Sequence, residues 1–164
     1  MPPLQDSRCG TGTTQDGCKE RLETRYAIWS AGFVKAKRGA DPSIVPGSSQ
    51  RFLDKSRTLT ADCVAYDLED SVTPGRKAEA RALVRKAIDQ DLPSGLKERA
   101  VRINSVGSGL ALADLQEVLK SPNLTTLVVP KVDAASDLTF ISDVIDHSRP
   151  KEYKTPISIL ALVE

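Results

Sequence analysis

Histidine, cysteine and long apolar runs are the scarce features of this 164-residue chain, and each scarcity removes a class of function. His147 is the sole histidine and falls near the end of a helical pattern, with nothing to place it beside a strand-end nucleophile. A Ser-His-Asp or Cys-His arrangement is therefore not expected. The three cysteines, Cys9, Cys18 and Cys63, form an odd count without CxxC spacing. That argues against a disulfide framework or a zinc site and for a reducing compartment, with Cys63 as a core thiol. No apolar run approaches the roughly 20 residues that span a bilayer. Charge of one sign is lacking too: 23 basic and 22 acidic residues leave a net charge of +1. Neither nucleic acid nor an anionic membrane is expected as a partner, and any anion site must be local.

What is present is an ordinary globular composition, 40% hydrophobic and 27% charged, in a length that suits one domain with a real core. Residues 1–40 hold a single apolar patch, Tyr26-Ala27-Ile28-Trp29, and little periodicity, so a mostly irregular N-terminal segment is expected there. Asp6, Asp16, Glu20 and Glu23 are unlike an acid-poor transit peptide, and there is no apolar core of a signal peptide. A soluble intracellular protein, of cytoplasm or mitochondrion and without a clear targeting peptide, is the expectation.

From residue 41 to 164, short β-type runs alternate with longer helical ones. Ile44-Val45 reads as a stub of a strand, and residues 63–68, 100–104, 126–130 and 156–163 read as clearer strands. Between them, Ala80, Leu83, Ala87 and Ile88 fall at helical spacing, as do Leu112, Leu115 and Leu119, and then Leu138, Ile141 and Ile145. The strand runs Val64-Ala65-Tyr66 and Leu127-Val128-Val129 are continuously apolar and recur at the spacing of βα units. These features predict an α/β fold with a parallel sheet.

Polar residues gather where these strands end. The most prominent group is Tyr66-Asp67-Leu68-Glu69-Asp70-Ser71-Val72-Thr73, in which three carboxylates follow a buried strand. Such carboxylates are costly to desolvate unless cations or donors compensate them. An acidic surface turn is the plainer account of this stretch taken alone, since Asp and Ser commonly fill turns. Arg102-Ile103-Asn104, Pro130-Lys131 and Glu164 close three further strands. In parallel α/β folds, ligands bind at these carboxyl ends. A guanidinium such as that of Arg102 presents a planar fork to a carboxylate, or forms a structural ion pair with Glu69 or Asp70, and the two roles do not exclude each other. Asp67 is expected to bond backbone groups at its strand end. Lys131 either faces the site mouth or is only solvated.

In order and spacing, Val45-Pro46-Gly47-Ser48, Asp67-Leu68-Glu69-Asp70-Ser71-Val72, Val101-Arg102-Ile103-Asn104, Val129-Pro130-Lys131-Val132 and Leu162-Val163-Glu164 resemble the citrate lyase beta subunit-like branch of the HpcH/HpaI aldolase family. The resemblance implies a TIM (β/α)8 barrel and a Mg2+-dependent carbon–carbon lyase acting on acyl-CoA substrates of the citramalyl-, malyl- or citryl-CoA type. An acyl-CoA thioester hydrolase on the same scaffold is an alternative. It further implies Glu164 as a metal ligand, Glu69 and Asp70 as the acidic pair beside the metal and substrate, and Arg102 as the group that holds the oxo-acid carboxylate. Arg51 and Lys55, after the Pro46-Gly47-Ser48-Ser49 loop, are implied as holders of CoA phosphates.

Two departures from the family pattern stand out. Gly39-Ala40-Asp41-Pro42-Ser43 replaces the apolar residues of a full first strand. The sequence reaches only what would be the fifth strand, whereas a barrel takes about 250 residues. The expectation is therefore a truncated barrel, about its first half, with free edges at Ile44 and at residues 157–163. Such a half-barrel is expected to self-associate or to pair with a full-length relative, and to be inactive alone.

Overall fold

The structure is a computed structural model that describes residues 26–30, 43–61, 63–92 and 94–163. Six strands form one sheet in which every pairing is parallel: β1 (Tyr26–Ser30), β2 (Ser43–Pro46), β3 (Cys63–Asp67), β4 (Glu98–Arg102), β5 (Thr126–Val129) and β6 (Ser158–Val163). The order is β1-β6-β5-β4-β3-β2, so β2 to β6 lie side by side in chain order, as consecutive strands of a barrel do. Helices α1 (Gln50–Ser56), α2 (Lys77–Asp89), α3 (Ala111–Val118) and α4 (Ala135–Ser148) connect them. None of the described helices is long and apolar enough to cross a membrane.

The helices form where apolar residues recur every third or fourth position. In α2, Ala80, Val84, Ala87 and Ile88 make the stripe that meets the sheet. In α3 the stripe runs through Ala111, Leu115 and Val118, with Leu119 just beyond; Leu112, expected inside, is 44% exposed, because that one-residue offset turns it outward. The Asp137 carboxylate starts α4 by accepting the free N–H groups of Asp133 and Ala134. Together the helices and the outer face of the sheet enclose the main core, which includes Tyr66, Leu68, Val101, Ile103, Leu127 and Ile159. The opposite face carries a smaller cluster of Ala65, Ala100 and Val128, with Cys63, Leu160 and Leu162 against it. Cys63 is only partly buried there, and burial, with Glu98 nearby, pushes its thiol up to about 11.

Two expectations require correction at the N-terminal side. Within the stretch read as irregular, residues Tyr26–Ser30 form a strand, and the edge of β6 that was expected to be free is paired by it, from Tyr26 opposite Ile159 to Ser30 opposite Val163. A short apolar patch with no periodic neighbours gives no local sign of a strand when its partner lies at the other end of the chain. In a barrel the strand following β6 would pair on this edge; here β1 occupies it.

At β2 the close approach of the next turn depends on Gly47. Its N–H donates to the Asp67 carbonyl at 2.9 Å, and a Cβ in its place would lie 2.6 Å from that oxygen and 2.6 Å from Val84 Cγ2. Gly47 thus seats the end of β2 against the end of β3, the edge where the carboxylates gather.

Candidate functional site

Parallel pairing in register brings the polar strand ends together. Asp67 and Arg102 stand opposite one another at the last positions of β3 and β4. Arg102 Nε and Nη2 donate to the two carboxylate oxygens of Asp67, each at 2.8 Å. Asp67 is fully buried and also accepts the N–H groups of Glu69 at 2.8 Å and Ser71 at 3.0 Å. Burial works to raise its pKa, but Arg102, Ser71 and the backbone N–H groups of Glu69 and Ser71 outweigh it and bring the carboxyl down to about 2. The bond to Asp67, offset in part by burial, raises the pKa of Arg102.

With one edge of its fork held by Asp67, Arg102 turns Nη1 toward the acidic pair. Nη1 lies 3.4 Å from Glu69 Oε2 and 4.0 Å from Asp70 Oδ2. Lys131 Nζ approaches the same pair from the end of β5, 3.0 Å from Glu69 Oε1 and 3.8 Å from Asp70 Oδ1. The Lys131 backbone has φ of 50°, a left-handed conformation that costs a non-glycine residue of order 1 kcal/mol and recurs at functional sites. The Glu69 side chain is nearly buried while that of Asp70 is 67% exposed, so the pair forms the rim of the cluster from inside to outside.

Beneath this rim lies a second polar layer. Lys77, at the start of α2 and buried, donates from Nζ to the carbonyls of Leu68 and Glu69, each at 2.6 Å, and to Asn104 Oδ1 at 2.7 Å. Asn104 Nδ2 donates to Leu68 O at 3.0 Å and to Asp114 Oδ2 at 2.6 Å, and the Asn104 N–H donates to that same Asp114 oxygen at 2.7 Å. Asp114 Oδ1 accepts Arg81 Nε at 2.6 Å. Burial lowers the pKa of Lys77, against the raising effect of Asp114, Asp67, Glu69 and Asp70.

The structure thus brings Glu69, Asp70 and Arg102 together, adds Lys131, and gives Arg102 a first partner, Asp67, that sequence reasoning had assigned only to backbone bonding. Arg51 and Lys55 are exposed on α1, which follows the β2 end of the same rim, and neither joins the cluster. Glu164 lies outside the described residues. His147 sits in the last turn of α4 with Nδ1 at 2.7 Å from Asp143 O, apart from the cluster. Lys77, Arg81 and Asp114 were not anticipated. A lysine at the first position of a helix is disfavoured by the positive end of the dipole, and that was the available signal. The cleft of about 260 Å3 lined by Arg99, Asn123, Thr125 and Thr155 opens at the amino ends of the strands, opposite the cluster.

No three His, Cys, Asp or Glu side chains among the described residues converge as a metal site, and both Glu69 oxygens face cations. These residues by themselves fit a carboxylate-binding arginine held in an acidic frame, and do not fit a complete divalent-ion site.

Residues 44–164 match the family described as HpcH/HpaI aldolase/citrate lyase. The mitochondrial citramalyl-CoA lyase of Rattus norvegicus is 36% identical over 122 residues, which cover 73% of this chain and 36% of that protein. The (3S)-malyl-CoA thioesterase of Cereibacter sphaeroides is 34% identical over 101 residues, covering 62% of this chain and 35% of that protein. Among solved structures, protein CitE of Mycobacterium tuberculosis in complex with magnesium and pyruvate is 27% identical with a TM-score of 0.55, over 77% of this chain and 46% of that chain. The same protein with magnesium, acetoacetate and coenzyme A is 26% identical with a TM-score of 0.54, over 77% and 40%. The chain spans about a third of the length of the curated relatives it matches.

Proposed function

The chain belongs to the HpcH/HpaI aldolase/citrate lyase family, and from that premise we propose that its strand-end cluster is the oxo-acid-binding part of a carbon–carbon lyase for acyl-CoA thioesters. One observation carries the reading. Arg102 is anchored through one edge by the buried Asp67 and turns Nη1 to the rim of Glu69 and Asp70. An anchored guanidinium presents a preorganised carboxylate receptor, which lysine cannot imitate.

Retro-aldol cleavage of citramalyl- or malyl-CoA breaks the bond between the hydroxyl-bearing carbon and the carbon next to the thioester. The first carbon leaves as a 2-oxo acid, pyruvate or glyoxylate, and the second as acetyl-CoA. In this reading the outer edge of Arg102 holds the carboxylate that becomes the oxo acid, Glu69 and Asp70 frame it, and Lys131 balances their charge. Arg51 and Lys55 are proposed for the CoA phosphates at the exposed entrance beside β2. Magnesium is proposed as the cofactor, with Glu164 as its ligand and the acidic pair beside it, because the ion favours carboxylate oxygens. The described carboxylates alone do not complete its site.

A thioester hydrolase is a second reading, favoured by the 34% identity to the (3S)-malyl-CoA thioesterase. Incubation with citramalyl-CoA and with malyl-CoA in the presence of MgCl2, followed by chromatography of the products, tests both. Acetyl-CoA with an equivalent of oxo acid supports the lyase; free coenzyme A with the intact hydroxy diacid supports the hydrolase. Absence of both products from a chain that still binds the oxo acid supports a chain that is non-catalytic by itself and needs a partner chain.

A further inference from the structure

The layer beneath the rim has no direct part in the proposed reaction, and it is costly to build. A buried ammonium forfeits its hydration, a loss that is offset only when its protons are bonded, and the first turn of a helix is the wrong end of the dipole for a cation. Lys77 meets both penalties with three acceptors for its three protons: Leu68 O, Glu69 O and Asn104 Oδ1. An apolar side chain would fill the space without those penalties. What the ammonium adds is a single post joining the segment after β3 to the segment after β4, braced from behind by Asp114 and Arg81.

We propose that Lys77 is a positioning residue for the strand-end site: by holding the carbonyls of Leu68 and Glu69 it fixes the peptide from which the Glu69 carboxylate reaches Arg102 and Lys131. Glu69 is then gripped twice, its main chain by Lys77 and its side chain by the two cations of the rim. The strand-end turn is held the same way on its other side, where Asp67 accepts the N–H groups of Glu69 and Ser71. The proposal rests on the oxo-acid reading only for why the placement of Glu69 matters.

Two variants keep the test open if one fails to fold. Lys77→Met removes all three donors, and Lys77→Gln keeps two N–H groups without the charge. Amide hydrogen exchange, measured without ligand, is the first arm. In whichever variant folds, protection at Glu69 and Ser71 is expected to fall about tenfold or more while Tyr66 and Val101 in the sheet are unchanged. Unchanged protection at Glu69, or an equal fall throughout the sheet, overturns the proposal, since the second pattern belongs to a merely structural lysine. The second arm is a double-mutant cycle read by pyruvate titration with MgCl2. Lys77→Gln is expected to weaken pyruvate about tenfold in the native background and less than about twofold beside Glu69→Gln. Equal losses in both backgrounds overturn the coupling. A wild-type chain that takes up no pyruvate refutes the oxo-acid reading instead, and the exchange arm then decides the role of Lys77.

Discussion

Replacing Asp67 by Asn tests how the arginine is held. The change keeps the shape but converts one carboxylate oxygen into an NH2 group, which cannot accept from Arg102 or Ser71. In the native chain the donors to the carboxylate include Arg102 Nε and Nη2 and the N–H groups of Glu69 and Ser71. Removing one partner of a buried pair costs about 3–5 kcal/mol. The pKa gives a second view of part of the same quantity: a drop from 3.8 to about 2 corresponds to roughly 2 kcal/mol at neutral pH. The folded state ionises more readily than the unfolded one, so this contribution is present above about pH 4 and is lost as the pH falls through about 2. Urea unfolding of both proteins from pH 7 to pH 2 reads both effects. Asp67→Asn should lose about 3 kcal/mol at pH 7. The difference between the two proteins should then shrink by about 2 kcal/mol between pH 4 and pH 2. A loss under about 1 kcal/mol, or a difference that stays constant with pH, refutes the reasoning.

Three other perturbations follow from the same geometry. Gly47→Ala sets a methyl 2.6 Å from a backbone oxygen, and thermal unfolding should show about 1–3 kcal/mol of destabilisation; an unchanged midpoint contradicts the close packing of β2 on β3. The double change Ala27→Pro/Ile28→Pro removes a ladder donor from β1, since adjacent N–H groups point to opposite sides of a strand, so light scattering should find more self-association as the β6 edge opens; the same mass as the parent contradicts the pairing. The raised thiol of Cys63, at about 11 against an ordinary 9.0, should be alkylated by iodoacetamide at pH 8 about a hundredfold more slowly than a free cysteine; labelling at the free rate contradicts its burial.

The parallel sheet and its strand ends were legible because buried parallel strands are continuously apolar and the polar residues that interrupt them are few. The group of three carboxylates and Arg102 could be marked from those interruptions, while the choice of Glu69 and Asp70 within the group came from the family resemblance. The Asp67–Arg102 bond could not, because register is a relation between strands 35 residues apart and leaves no local pattern. Lys77 was hidden for a related reason: a charged residue at the start of a charged helix reads as solvated until the three acceptors are placed around it. Leu112 shows the limit of periodicity, since positions 112, 115 and 119 satisfy helical spacing as well as 111, 115 and 118 do, yet Leu115 and Leu119 meet the core while Leu112 is turned outward. The strand Tyr26–Ser30 lay beyond any such reading, as its partner is at the far end of the chain.

The central claim, that Arg102 is an anchored receptor for an oxo-acid carboxylate, is tested most directly by calorimetric titration of pyruvate with MgCl2 into the native chain and into Arg102→Lys. Lysine keeps the charge but loses one edge of the fork, either to Asp67 or to the ligand. The account predicts saturable binding to the native chain and at least about a tenfold weaker affinity for the variant, with circular dichroism unchanged. Equal affinities would remove Arg102 from the site and contradict the account.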